Sequence, residues 1–233
     1  MYRIEADLLI PGKGEPVRDG VVILDGPRIG YAGPAAAAPP PVPGVPTSRA
    51  VTVMPGMWDC HGHFLGTRSF DLGHLVLEPL ALRGARSARD LRAALDAGVT
   101  SVREVGGLGV DLARAVAEGV LDGPSVYAAG AILSTTGGHG DLHSYPLEWM
   151  LSWAGHAGTM RLADGPDDCA RAVREQLRRN AKVIKVCASG GVLSEVDDPI
   201  HQQFTLAELR AIVEVAGLAD RVVAAHCHGK PGI

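Results

Sequence analysis

Residues 53–64, VMPGMWDCHGHF, decide how this chain is read. A β-rich run enters the stretch, Pro55-Gly56 turn the chain, and His61 and His63 follow with one residue between them. In a strand, successive side chains point to opposite faces, so residues two apart share a face. At a strand end both imidazoles therefore project to one side, close enough together to hold one cation. Imidazole is the commonest protein ligand for zinc and similar divalent metals. Two histidines at this spacing also arise by chance, so the remaining motifs have to weigh in.

The chain has 233 residues, which suits one large domain or a domain with a small appendage. Its 22 basic and 26 acidic residues leave a net charge of −4, with no long run of either sign. Nothing in that pattern points to nucleic acid or to an anionic membrane surface. The first residues, MYRIEADLLIPGKGEP, contain acids and lack a long apolar core, so no signal peptide is expected. No apolar run is long enough to span a bilayer. Four cysteines occur without CxxC spacing, and Cys60, Cys187 and Cys227 fall in runs expected to be buried strands. Reduced structural thiols are the default for such positions, and a cytoplasmic enzyme is the simplest expectation.

Tyr2 to Ile10, Gly20 to Leu24 and Arg28 to Ala32 read as short strands, with Asp25-Gly26 as a tight turn between the last two. The Pro/Ala-rich stretch 34–46 fits neither a regular helix nor a central strand and reads as a surface connection. Residues 1–54 are thus expected to form a small β unit, and 55–233 an alternation of strand and helix. Strands are predicted at Thr100 to Val105, Ser125 to Gly130, Val183 to Ala188 and Arg221 to Cys227. Between them lie a helix capped by Ser87, a helix over Asp111 to Glu118 and another over Pro166 to Asn180. A last helix opens on a Thr205–Glu208 capping box. The stretch ILSTTGGHGDLHSYP reads as a long loop. Such alternation argues for a parallel sheet under helical cover, with the active site just after the strands.

Three further motifs carry chemistry. Lys185 sits in the middle of VIKVCASGG. An unpaired ammonium is costly to bury, so this lysine either snorkels, pairs with a carboxylate, or has a function. AHCHG closes the fifth strand, and its His226 and His228 again share a face. In TTGGHGD, two glycines before His139 permit unusual backbone angles near a ligand. Arg103 and Glu104 close the second strand, where an ion pair tying the barrel together is expected. His143 carries a weaker signal, and His74, His156 and His201 carry none.

PGMWDCHGH, TGGHGD, IKVCASGGVLS and AHCHG, in that order, resemble the metal-dependent amidohydrolase superfamily. The branch they resemble is the imidazolonepropionase-like one that includes Xaa-Pro and Xaa-Arg dipeptidases and related carboxypeptidases. The resemblance implies a TIM-type (β/α)8 barrel with a β-sandwich built from residues outside it, here the 1–54 portion. It implies two divalent metal ions, zinc by default, held by His61, His63 and His226, with Lys185 carboxylated by carbon dioxide to bridge them. It makes His228 the residue that polarises the scissile carbonyl or steadies the tetrahedral intermediate, and turns His139 toward the substrate, its carboxylate if it has one. The implied substrate is a small molecule such as a dipeptide or N-acyl amino acid, whose amide is attacked by a metal-bridging hydroxide.

One departure is large. A full barrel has eight strands and typically ~250 residues, whereas five barrel strands are expected here. The family's sixth-strand histidine and eighth-strand aspartate, its proton shuttle, have no counterpart; Asp220 precedes the fifth strand. The chain is therefore expected to be a piece of a longer enzyme, with an exposed barrel edge that favours homo-oligomers. Two other readings stand beside the binuclear hydrolase. A mononuclear cyclic-amide hydrolase or deaminase would lack a bridging lysine. A non-catalytic truncated fragment would bind metal weakly or act through another chain.

Overall fold

The computed structural model describes residues 1–233 apart from 70, 158, 193 and 195, and describes only the backbone of 155–157. His156 therefore lies outside the described side chains. The chain divides into two compact units, Met1–Gly56 and Met57–Ile233.

In the first unit β1 (Tyr2–Leu9), β2 (Val17–Asp25), β3 (Arg28–Pro34) and β4 (Thr47–Val53) form one four-stranded sheet in the order β3-β2-β1-β4. β1–β2 and β2–β3 are antiparallel hairpins, and β1–β4 is parallel. Gly26 takes φ +56° in the predicted turn. Alternation along these strands buries Ala6, Leu9 and Val22, with Ile4, Val17, Leu24 and Val53 packed against them. The expectation for this unit was a portion of a β-sandwich; its described residues form this single sheet. The Pro/Ala-rich connection carries one short 3-10 turn, Ala35–Ala37.

The second unit alternates strand and helix. β5 (Met57–Gly62), β6 (Val99–Glu104) and β7 (Ser125–Ala128) lie side by side, all parallel. A second parallel sheet runs β11-β10-β8-β9, from β8 (Ile132–Ser134), β9 (Met160–Leu162), β10 (Ile184–Cys187) and β11 (Val223–His226). β7 and β8 are two parts of one run, interrupted at Gly130, whose φ of +75° suits a glycine. Gln176 fills the break by accepting from the Ala131 amide, and Lys182 N–H donates to Ala128 O, tying the end of β7 to the approach to β10.

Helices cover this unit. α1 (His74–Leu77) is a single turn, and α2 (Leu80–Asp96) buries Arg83, Ser87 and Leu91, four residues apart on one face. α3 (Gly109–Ala117), α4 (Leu147–Ala157), α5 (Pro166–Arg178), α6 (Leu206–Gly217) and the terminal turn α7 (Gly229–Gly232) complete the set. One core cluster joins Leu133, Ile184 and Val186 to Val173, Phe204 and Ile212; another joins Phe64, Leu91, Val102, Leu108 and Leu112. Among the described residues no helix is long and apolar enough to cross a membrane.

Several local expectations are corrected. Ser87 does not cap a helix; α2 begins seven residues earlier, and Ser87 is fully buried within it. The loop expected from Ile132 contains β8, and the chain beyond it contains α4 and β9. Cys60 is exposed, whereas Cys187 is buried as expected and Cys227 partly so. Arg103 and Glu104 do not pair. As neighbours on a strand they point to opposite faces: Arg103 donates to Cys60 O at 2.7 Å, while Glu104 is enclosed.

Candidate active site

The parallel strands bring the predicted residues to one end of the second unit. β5 carries His61 as its next-to-last residue and leads into His63, β10 carries Lys185, and β11 ends in His226, with His228 two residues on. The ring centroids of His61 and His63 are 5.3 Å apart. The His63 Nδ1 lies 2.8 Å from Gly106 O. A carbonyl only accepts, so Nδ1 carries the proton and Nε2 is left with its lone pair.

Lys185 is 3% exposed within an apolar strand. No acidic side chain among the described residues pairs with it, so the carboxylate partner it could have had is not there. Burial holds its ammonium below the usual lysine range, and Arg103 adds to that effect. The Lys185 charge in turn acts on His61, His63, His139 and His226, all four of which are lowered chiefly by desolvation. For His226 the value falls to about 4, with His139 the next cause. The neutral imidazole is the form that binds metals.

The second cluster is aromatic in its contacts. His139 stacks on His226 at 4.5 Å, and His228 meets His226 edge-on at 4.7 Å. His226 Nε2 donates to Gly190 O at 3.2 Å. His139 is gripped from several sides: Nδ1 lies 2.6 Å from Ser194 Oγ, and its amide donates to Gln203 Oε1. Gln203 Nε2 and the Gly191 amide both donate to Asp197 Oδ2. A Cβ on Gly191 would fall 1.9 Å from the His139 ring, so only glycine fits there. Ser194 closes the IKVCASGGVLS motif and could have been singled out from it; Asp197 and Gln203 gave no sequence signal. The His228 amide donates to Ser189 Oγ.

Among the described residues no three His, Cys, Asp or Glu side chains converge into a ready cation cage. The donor chemistry nevertheless fits divalent metal. His63 Nε2 has its lone pair free beside His61, and a buried amine without a counter-ion among the described residues sits in the same electrostatic neighbourhood.

Histidines at the C-terminal ends of parallel strands, beside a buried strand lysine, place this polar cluster where α/β barrels of the hydrolase type carry their active sites. Residues 52–233 match the model of the amidohydrolase family, and the chain belongs to that family. It is 43% identical over 244 residues to ochratoxinase from Aspergillus niger, a match covering 99% of this chain and 51% of that protein. The crystal structure of A. niger ochratoxinase superposes with a TM-score of 0.92 at 41% identity, covering 99% of this chain and 56% of the other. A prolidase crystallised with N-methylphosphonate-L-proline gives 0.88 at 35% identity, over 97% of this chain and 56% of that one. A Xaa-Pro dipeptidase with bound methionine gives 0.82 at 27%, over 99% and 57%. The chain spans about half the length of the curated relatives it matches. The likeness supports a TIM-barrel-like α/β fold of which this chain supplies a part.

Proposed function

We propose that the protein acts as a metal-dependent hydrolase of peptide-like amide bonds, with dipeptides or N-acyl amino acids as the substrate class. The observation that carries this reading is Lys185, a buried cation without an acidic partner among the described residues, whose charge acts on four histidines. Its depressed basicity favours the neutral amine, the form that attacks carbon dioxide. The nitrogen–carbon bond forms, one proton leaves, and the costly cation becomes an anionic oxygen donor. His61, His63 and His226 would then hold two divalent ions with the carbamate, zinc being the default for this donor set. When bound, such ions supply Lewis acidity toward the amide carbonyl and lower the pKa of water. His228 is assigned to the carbonyl oxygen as negative charge develops there. His139, oriented by Ser194 and Gln203, is assigned to the substrate carboxylate. Ochratoxinase, the prolidase and the Xaa-Pro dipeptidase support the amide-hydrolase class. Lys185 favours the binuclear reading over a mononuclear one.

Purified protein incubated with zinc and 13C-bicarbonate should show a carbamate carbon resonance, bound metal by elemental analysis, and release of amino acid from N-acyl amino acids. Lys185→Ala should lose the resonance, most of the metal and at least about a hundredfold in rate. A wild-type protein with no carbamate, or a Lys185→Ala variant hydrolysing as fast as wild type, overturns the assignment.

A further inference from the structure

We infer that Glu104 is a positioning residue that fixes the tautomer of His63. Glu104 ends β6, is 0% exposed, and neither of its oxygens completes a hydrogen bond with a described residue. Its carboxyl faces the amides of Phe64, Gly106 and Gly109. The turn from Gly106 to Gly109 is folded around it. A Cβ on Gly107 or on Gly109 would fall 2.3 Å from one of its oxygens, and Gly106 and Gly107 take φ +131° and +151°. Gly107 and Gly109 thus bring backbone against this one side chain, while a Cβ on Gly106 would strike Ile132 at 2.3 Å.

That turn has a second contact. The Gly106 carbonyl accepts from His63 Nδ1 at 2.8 Å. The Leu108 amide donates to Phe64 O and the Val105 amide to Gly62 O, so the same segment is stitched to the β5 end on both sides of His63. A carbonyl aimed at Nδ1 keeps the proton there and leaves Nε2 as the metal-binding lone pair. Backbone or carboxylate partners of ligating histidines act in this way. Glu104 reaches His63 only through this turn, so its effect is on orientation and tautomer. The inference rests on His63 being a cation ligand, but the tautomer itself can be measured without any cation.

The test is ring-15N histidine NMR on the metal-free protein, with His63 assigned through His63→Gln, followed by zinc titration. Wild type should show the Nδ1–H tautomer at His63. Glu104→Met keeps the volume and removes the carboxyl that the three amides face; it should mix the tautomers and weaken zinc binding roughly tenfold or more. Glu104→Asp, which retains a carboxyl, should restore the wild-type tautomer. A Glu104→Met protein whose melting temperature shifts while His63 stays fully Nδ1–H shows a filler role only and overturns the inference. If that variant does not fold, an Nε2–H His63 in wild type overturns it alone, and an Nδ1–H His63 restored in Glu104→Asp supports it. Absence of zinc binding in wild type defeats the hydrolase reading, whereas the tautomer result still decides the role of Glu104.

Discussion

Glu104 is enclosed, and burial pushes its carboxyl up to about 8 against the opposing pull of the Phe64, Gly106 and Gly109 amides and of Arg179. Its ordinary value is 4.5. Between those two values the folded protein keeps a proton that the unfolded chain has released. Stability linked to this group is therefore complete below the lower value and falls as pH rises through the window to the upper one. The slope is at most about 1.4 kcal/mol per pH unit. Urea unfolding across this window should show wild type losing stability relative to Glu104→Gln, which cannot ionise. Parallel pH profiles would show that the carboxyl is not neutral in the native state. The histidines and Lys185 were legible in the sequence because each breaks a local rule: an HxH pair at a strand end, a cation inside an apolar strand. Glu104 broke none visibly. Next to Arg103 it looked like half of an ion pair, and only the strand's alternation, seen in place, sends the two side chains apart.

At the scale of elements, the start of α6 joins two helices. Thr205 Oγ1 accepts from the Glu208 amide, and Glu208 answers by accepting from the Thr205 amide and hydroxyl. The other Glu208 oxygen accepts from Gly165 N–H at 2.7 Å, at the entrance to α5. Thr205→Ala should cost about 1 kcal/mol, the usual worth of an N-cap. Glu208→Ala should cost more, roughly 2–3 kcal/mol, because it also strips the partner from Gly165. Chemical-denaturation midpoints with an unchanged slope give both numbers, and equal losses would show the Gly165 contact to be worthless. This capping box was readable from Thr205 and Glu208 alone, since its signal lies within four residues. The three-residue strands β8 and β9 were not: two or three side chains show no periodicity, and their pairing is long-range. α2 was placed too late because Pro79 supplies no side-chain cap and Gly84 interrupts the helical pattern, leaving Ser87 as the only visible start signal.

At the scale of the whole molecule, the second unit presents a sheet face and sheet edges that a closed barrel would cover. Among the described strands, β5 and β11 each stand last in the order of their sheet. On β5 and β7, Trp58 and Tyr127 stack at 5.0 Å while remaining 55% and 42% exposed. The register aligns Trp58 with Ser101 and Arg103 with Tyr127, which puts the aromatic pair on the face that carries Arg103. Arg103 in turn acts on His61 and Lys185. In barrels of this type the inward face is packed with side chains, and the relatives that superpose on this chain are nearly twice its length. A stacked aromatic pair this exposed should draw other copies of the chain together. Sedimentation velocity should therefore show concentration-dependent association and a hydrophobic dye should bind, both reduced by a Trp58→Ser, Tyr127→Ser double substitution. Association that is indifferent to the pair, or a strictly monomeric wild type, would refute the idea that this face governs assembly.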